Sequence, residues 1–287
     1  MNTVRAQHNR RAHSSHSITR PTAFYWYLNQ DGSLGHEVKL TGLLSTSPPS
    51  PDEPPGAPTH GCLVSPGVNA QHHQHFFCAR LALSPDDAAG GGAACVVSEL
   101  EAVPDEGDEH GNGNGFHATE RLLATTHSAK RLTAPDLSRV WKVSNPAIRH
   151  PITGDAVGYA LVPGGAARLL ARPGSAVARR AAFTTANLWV TSHSDEQRYP
   201  AGEYVMQSQQ CSGLSVWTRE DAPILDPVLW YSFGVTHVVT PEDWPIMPCA
   251  SVGFTLRPWH FFAVSPSIDV PPAKDEASKL HCAACDV

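Results

Sequence analysis

Two histidines in one short segment have the residue type and spacing of metal ligands. His73 and His75 lie in a largely apolar run bounded by proline-containing turns, and this composition predicts a buried β-strand. Because side chains alternate along a strand, both rings point to one face, whereas His72 and Gln74 point to the other. Imidazole binds Zn, Cu, Fe and Ni, so the pair predicts a metal site without naming the ion. The alternative is a strand whose histidines are satisfied within the core, since 16 histidines in 287 residues also produce such pairs by chance.

Length, charge and cysteine content limit the function classes. A chain of 287 residues can form one large all-β domain or two smaller domains. The formal net charge of -6 and the lack of a basic block argue against a nucleic-acid partner. No apolar run is long enough to predict a membrane-spanning helix, and no apolar N-terminal segment predicts a Sec-type signal peptide. Seven cysteines without a repeating framework predict reduced thiols and an intracellular protein.

Strand signals separated by turn signals recur along the chain and predict a mostly β fold. An aromatic strand at 24–28 and a hairpin turn at 29–32 lead into a return strand at 34–44. Further strands are predicted at 94–100, 140–143, 158–162, 187–191, 228–239 and 252–256, one short helix at 175–182, and solvated loops at 47–58, 88–94 and 105–115. This organisation is typical of a large antiparallel β-sandwich. The strand at 228–239 contains a further histidine, His237.

Several distinctive motifs closely resemble the C-terminal catalytic domain of the copper amine oxidases. They are His73-Gln74-His75-Phe76, the segments 178–183 (ARRAAF), 188–191 (LWVT) and 198–202 (RYPAG), the run from Trp230 to His237, and 242–248 (EDWPIMP). They occur in the family's order, and the likeness extends from about Phe24 to Val270. Composition and spacing alone indicate a β-rich chain with one strand whose histidines could bind a metal ion. Copper and an amine substrate are implied only by the resemblance.

The resemblance implies a specific reaction and a specific metal centre. Members of the family oxidise primary amines with dioxygen to aldehydes and release ammonia and hydrogen peroxide. They use copper(2+) held by three histidines, together with topaquinone, which forms by self-processing of a tyrosine. His73, His75 and His237 fall on the three copper-ligand positions. Three imidazoles leave a coordination position for water or dioxygen, and we expect a homodimer, as in the family.

The chain departs from the family where the quinone forms. The precursor tyrosine lies in an Asn-Tyr-Asp/Glu motif a few residues before the aromatic strand, and counting back places Arg20 at that position. Tyr25 and Tyr27 are close by, but they belong to the strand itself. The catalytic aspartate, which takes the α-proton of the substrate, lies further upstream in the family and has no counterpart here. We therefore expect this chain to be inactive as it stands.

A second, calcium-binding site of the family is only half represented. Asp226 stands at one carboxylate position, whereas Ala82 stands where the family has an aspartate. Calcium takes six or more oxygen ligands, including carboxylates. Asp226 is therefore either a remaining metal ligand or only a residue at the entry to a strand, directly before Pro227.

The likeness also predicts the domain limits. We expect residues 1–22 to be a disordered or unrelated leader, 23–270 to be an N-terminally incomplete catalytic β-sandwich, and 271–287 to be a flexible tail. Cys282 and Cys285 could bind a metal, but they have no second pair and are assigned to that tail.

The tripeptide Ser278-Lys279-Leu280 resembles a peroxisomal address, which acts only at the extreme C-terminus. Seven residues follow it, so the tripeptide is predicted to be inactive in this sequence. Two functions thus remain open: a copper and topaquinone primary-amine oxidase, or a catalytically dead copper-binding or interaction β-sandwich.

Overall fold

The computed structural model describes residues 22–49, 51–52, 58–85, 95–107, 113–205 and 212–268, together with the backbone of 9–15. Arg20 and the expected tail 271–287, with its tripeptide at 278–280, lie outside these ranges. Within the described ranges, no helix is both long and apolar enough to span a bilayer.

Fourteen strands are the main regular elements of the described chain. They are β1 Asn9–Ser15, β2 Thr22–Leu28, β3 Leu34–Leu43, β4 Thr46–Ser47, β5 Gly61–Ser65, β6 Val68–Gln71, β7 His73–Ala82, β8 Val96–Pro104, β9 Phe116–Leu122, β10 Val140–Arg149, β11 Ala156–Pro163, β12 Leu188–Ser192, β13 Pro227–His237 and β14 Ile246–Trp259. Two short α-helices, α1 Ala176–Arg180 and α2 Leu214–Trp217, and three 3-10 turns at Pro135–Leu137, Ala182–Thr185 and Pro241–Asp243 complete the described elements.

The strands form three antiparallel sheets. The largest has the order β1-β2-β3-β14-β11-β10-β8-β9, and two three-stranded sheets have the orders β12-β13-β7 and β4-β6-β5. The first two sheets pack face to face around one core. Its buried members come from both sheets and include Val38, Leu40, Trp141, Val143, Phe254, Leu256, Leu81, Leu188, Leu229, Tyr231 and Phe233. The predicted all-β, antiparallel architecture is confirmed.

The hairpin at the start of the domain follows the predicted turn. The Gly32 amide donates to the Asn29 carbonyl at 3.1 Å, and Gly32 has a φ of 78°, a conformation that glycine adopts without a steric cost. Along β2, Phe24 and Trp26 pack against the core. Tyr27 lies on the other face, where its hydroxyl donates to the Glu37 carboxylate at 2.5 Å.

Three local predictions differ from the structure. Residues 9–15, expected in a disordered leader, form β1, which pairs with β2 from Asn9↔Leu28 to Ser15↔Thr22. Hydrogen bonding between backbone groups needs no alternation of apolar and polar side chains, so the apolar pattern of the sequence did not reveal β1. Strand β9 was missed because all seven of its side chains are exposed, and α2 was missed because it is only four residues long.

His36, to which the sequence assigned no role, is a core residue. It is buried between the sheets, and its ring lies 4.4 Å from that of Trp26 and 5.1 Å from that of Phe254. Nδ1 lies 3.1 Å from the Tyr25 carbonyl. Burial lowers the pKa of His36, so the ring remains neutral at physiological pH, as an apolar environment requires.

A buried carboxylate joins the two main sheets far from the histidines. Glu99 of β8 is only 2% exposed, and it accepts two hydrogen bonds from Arg131, at 2.8 and 2.7 Å, and one from Trp141 Nε1 at 3.0 Å. The backbone of Arg131 in turn pairs with Leu188 of β12. Burial raises the pKa of Glu99, but the bonds from Arg131 and Trp141 and the charge of Arg139 lower it more, so the net shift is downward. The contribution of Glu99 to stability is therefore present at neutral pH and is lost as pH falls below the ordinary carboxyl range.

We expect Glu99→Ala to lower the free energy of unfolding by about 3–5 kcal/mol, because it leaves the Arg131 guanidinium partly buried without its partner. Chemical denaturation at pH 7 measures this loss. Glu106→Ala, at an exposed position in the same region, is the control and should change stability little. Equal midpoints for the two variants would contradict the assignment.

Candidate metal centre

The pairing of β7 with β13 brings the third histidine to the other two. In this antiparallel ladder His73 lies opposite His237, and His75 lies opposite Val235. The ring centroid of His73 is 5.0 Å from that of His75 and 4.9 Å from that of His237. The ring of His73 thus lies close to both the ring of His75 and the ring of His237, at one end of the sheet.

The backbone beside His73 orients its ring. His73 Nδ1 lies 2.9 Å from the carbonyl oxygen of Gln71. A carbonyl can only accept, so Nδ1 carries the proton and donates, which makes Nε2 the nitrogen with the lone pair. This arrangement gives the ring the tautomer that a metal ligand requires.

His237 is oriented by a carboxylate. Its Nε2 lies 2.9 Å from Asp243 Oδ2, and the same oxygen accepts the backbone N–H of Thr240 at 2.9 Å. His237 Nδ1 is buried and has no hydrogen-bond partner among the described residues. A buried lone pair without a partner is costly, and a cation bound at this atom would satisfy it.

Asp243 remains ionised beside this ring. Burial raises the pKa of Asp243, but the hydrogen bonds from the Thr240 backbone and from His237 lower it more, so the net shift is downward. The 3-10 turn Pro241–Asp243 carries this carboxylate back to the strand end, and a capping box between Thr240 and Asp243 fixes the turn. The arrangement is a carboxylate–histidine pair in which Nε2 carries the proton and Nδ1 carries the lone pair.

The start of β2 borders the same site. A small cavity beside His73 and His75 is lined by Thr22 of β2 and by apolar and hydroxyl side chains of the neighbouring elements, namely Leu40, Thr41, Leu43, Leu44 and Met247. Phe24, two residues further along β2, contacts Phe77 of β7 with ring centroids 5.8 Å apart. The N-terminal end of β2 is therefore next to the histidine cluster.

Comparison with known proteins identifies the family. The family model described as "Copper amine oxidase, enzyme domain" matches residues 22–277. The chain belongs to the copper amine oxidase family. It is 42% identical over 253 residues to a peroxisomal copper-containing diamine oxidase of Nicotiana tabacum, covering 87% of this chain and 32% of that protein. It is 40% identical over 264 residues to a histamine oxidase of Arthrobacter globiformis, covering 90% and 36%.

A solved copper amine oxidase structure has the same fold. The copper-containing benzylamine oxidase of Hansenula polymorpha superposes with a TM-score of 0.82 at 28% identity, covering 92% of this chain and 42% of that one. The present chain spans about a third of the length of the curated relatives that it matches.

The other residues singled out from the sequence lie apart from the cluster. His72 Nδ1 accepts the backbone N–H of Val239 at 3.0 Å, so this ring has a structural role. Tyr27, bound to Glu37, lies on the face of β2 opposite to Thr22, and Tyr25 shares that face, with Lys39 Nζ 5.1 Å from its ring.

Asp226, the expected calcium ligand, is exposed and has a φ of 45°. Its carbonyl accepts the backbone N–H of His193 at 2.8 Å, an interaction that shapes the entry to β13. In the described part of the chain, no group of three or more His, Cys, Asp or Glu side chains stands in position to hold a metal ion.

Sequence reasoning missed two residues that shape this copper amine oxidase site. Asp243, noted from the sequence only as part of the motif 242–248, lies in the turn Pro241–Asp243 and is the partner of His237; its position shortly after His237 was the available signal. Gly234 lets β13 approach β7 closely, since a Cβ there would lie 2.1 Å from the His75 carbonyl oxygen. Only the strand pairing reveals this requirement.

We expect His237 to be the Nε2–H tautomer in the metal-free protein, because Asp243 accepts its proton. Imidazole 15N chemical shifts of labelled protein measure the tautomer. Asp243→Ala should shift the His237 resonances toward a mixture of tautomers, whereas Glu242→Ala, at the adjacent exposed carboxylate, should leave them unchanged. Identical His237 shifts in both variants would contradict this role of Asp243.

Proposed function

We propose that this chain is the copper-binding portion of a primary-amine oxidase. The whole protein would convert primary amines and dioxygen to aldehydes, ammonia and hydrogen peroxide. The observation that carries the proposal is the meeting of His73, His75 and His237, with the buried Nδ1 of His237 unpartnered among the described residues. The copper amine oxidase family match over residues 22–277 supports the choice of ion and reaction.

The residues of this chain would hold copper(2+) through His73 Nε2, a nitrogen of His75 and His237 Nδ1. Copper in such a site supplies one-electron and dioxygen chemistry. Gln71 and Asp243 would keep two of the rings in their metal-binding tautomers. Apolar side chains of the adjoining cavity, such as Leu40 and Met247, would limit the access of bulk water.

We further propose that the chain forms no topaquinone and oxidises no amine as it stands. Thr22 lies beside His73 and His75, which supports a quinone position just before β2, where the sequence has Arg20. A guanidinium has no phenol ring that could become a quinone. Amine oxidation needs a carbonyl electrophile and a carboxylate base for the α-proton, and we assign neither role to a residue of this chain.

The second candidate function is a copper-binding or interaction β-sandwich without catalysis. Arg20 at the quinone position is the observation that favours it for this polypeptide. Copper binding is common to both candidates, so detection of a quinone, described below, separates them.

We infer an intracellular location, because the seven cysteines have no disulfide framework. Relatives from Nicotiana tabacum and Pichia angusta are named as peroxisomal, which makes the peroxisome the first compartment to test. Imaging of an N-terminally tagged chain truncated after Leu280, beside the full chain, would show whether the tripeptide 278–280 directs import.

We expect about one Cu(II) per chain, with loss of binding in His75→Ala and His237→Ala. Asp243→Ala should retain binding but weaken it by about 10–100-fold, the usual effect of losing a residue that orients a ligand. Competitive copper titration and electron paramagnetic resonance measure both effects. The control is His117→Ala, an exposed histidine on β9. Full-strength binding by His237→Ala would refute the ligand assignment.

We expect no phenylhydrazine adduct and no peroxide release from the copper-loaded, aerated chain with simple primary amines. A variant with Thr19→Asn, Arg20→Tyr and Pro21→Asp restores the family tripeptide and should gain the adduct. His75→Ala in that background is the control, since quinone formation should need the metal. An adduct in the unaltered chain would overturn the proposed inactivity.

We also propose a homodimer, and sedimentation equilibrium should show one. Edge strands leave unpaired backbone groups that an assembly covers, and the edge strand β9 exposes Phe116 by 72%. The protein should sediment as a dimer at micromolar concentration. A single monomeric species throughout that range would count against association.

A further inference from the structure

A segment between β11 and α1 lies beside the end of β13 that carries His237. This segment, residues 166–170, is called the strap below. Ala166 forms a parallel bridge with Gly234, and the Ala167 amide donates to the Gly234 carbonyl at 3.3 Å. Strand β12 pairs with β13 only up to Leu188↔Tyr231. The strap therefore covers the edge of β13 beyond the point where β12 ends.

The side chain of Gln74 ties the strap to both metal-bearing strands. Its Nε2 donates to the Arg168 carbonyl at 2.8 Å and to Thr236 Oγ1 at 2.7 Å. Its Oε1 accepts the Leu170 amide at 2.9 Å. Because one partner is a carbonyl and another an N–H group, the orientation of the amide is unambiguous. One side chain thus uses both donors and an acceptor to connect β7, β13 and the strap.

The position of this tie matters because the histidines stand at the end of a ladder. His73↔His237 is the terminal pair of β7 and β13, and Gln74↔Thr236 is the next pair. Strand β7 is also the edge of its sheet. Terminal pairs on an edge strand are the first to open in local fluctuations. Contacts beyond the backbone ladder must therefore hold the two strand ends in place.

We propose that Gln74 is a positioning residue for the metal centre. Its side chain points away from His73 and His75 and does not touch the ion. By holding the strap against β13 and β13 against β7, it keeps His237 in register with the two histidines of β7. The metal half of this inference rests on the proposed copper site, whereas the tie itself rests only on the hydrogen bonds described above.

The test compares Gln74→Ala with Gln30→Ala in the full chain. Gln30 is a matched control, because it is an exposed glutamine in the turn between β2 and β3 and has no part in the proposed metal site. Amide hydrogen exchange of the metal-free protein reports on the strap at Leu170 and Ala167. Copper titration and electron paramagnetic resonance report on the metal site.

In Gln74→Ala we expect exchange at Leu170 to be at least about tenfold faster and copper binding to be about 10–100-fold weaker, with altered resonance parameters. Core amides such as that of Val143 should exchange as in the unaltered protein, which shows that the fold is intact. Gln74→Glu retains the acceptor for Leu170 but loses both donors. It should protect Leu170 better than Gln74→Ala does and still show altered resonance parameters.

Each outcome decides the proposal. Unchanged exchange at Leu170 in Gln74→Ala refutes the tie. If exchange at Leu170 becomes faster while the copper affinity and the electron paramagnetic resonance parameters stay unchanged, Gln74 has only a structural role. The proposal that it positions the metal centre is then refuted. If the unaltered chain binds no copper, the proposed function fails and the metal half of the inference fails with it, while exchange at Leu170 still tests the tie.

Discussion

The antiparallel pairing of β7 with β13 is the interaction on which both the core and the site depend. Along β13, Leu229, Tyr231 and Phe233 face the core, and the same alternation carries the next inward positions to Val235 and His237. A slip of one residue would turn the apolar set outward and move His237 away from His73. The burial of apolar side chains thus sets the register that brings the histidines together.

Two separate sets of polar contacts complete the structure, for different reasons. Glu99 is nearly inaccessible and is paired with Arg131, so it forms a charge network whose loss would leave buried charge uncompensated. At the histidine end, Asp243 and Gln74 are joined to backbone and side-chain groups that orient rings and strand ends. The first network stabilises the fold, and we propose that the second also prepares a metal site.

The arrangement explains how copper binding and quinone chemistry could be separated in one chain. The three histidines lie on β7 and β13, which pair with each other and contribute to the core. The proposed quinone position, Arg20, precedes β2 in the sequence and belongs to neither strand. In the proposed function, the chain retains the copper ligands of a copper amine oxidase centre but has no tyrosine at the quinone position.

The sequence by itself determined the local elements and the family. Alternating apolar residues predicted β2, β3, β13 and most other core strands, and the turn at Gly32 and the helix α1, with Ser175 at its N-cap, follow from local residue preferences. The motifs around His73 and His237 were sufficient for the family and for the ligand hypothesis.

Only the tertiary structure decided which residues meet. The bonds of Asp243 to His237 and of Gln74 to the strap, and the outward face of Tyr27, depend on strand register and sheet packing, which local composition does not encode. β9 was also not predictable from the sequence, since an edge strand without a buried face has no hydrophobic period. Local patterns specify what each segment becomes, whereas contacts between distant segments arise from the packing of the whole sandwich.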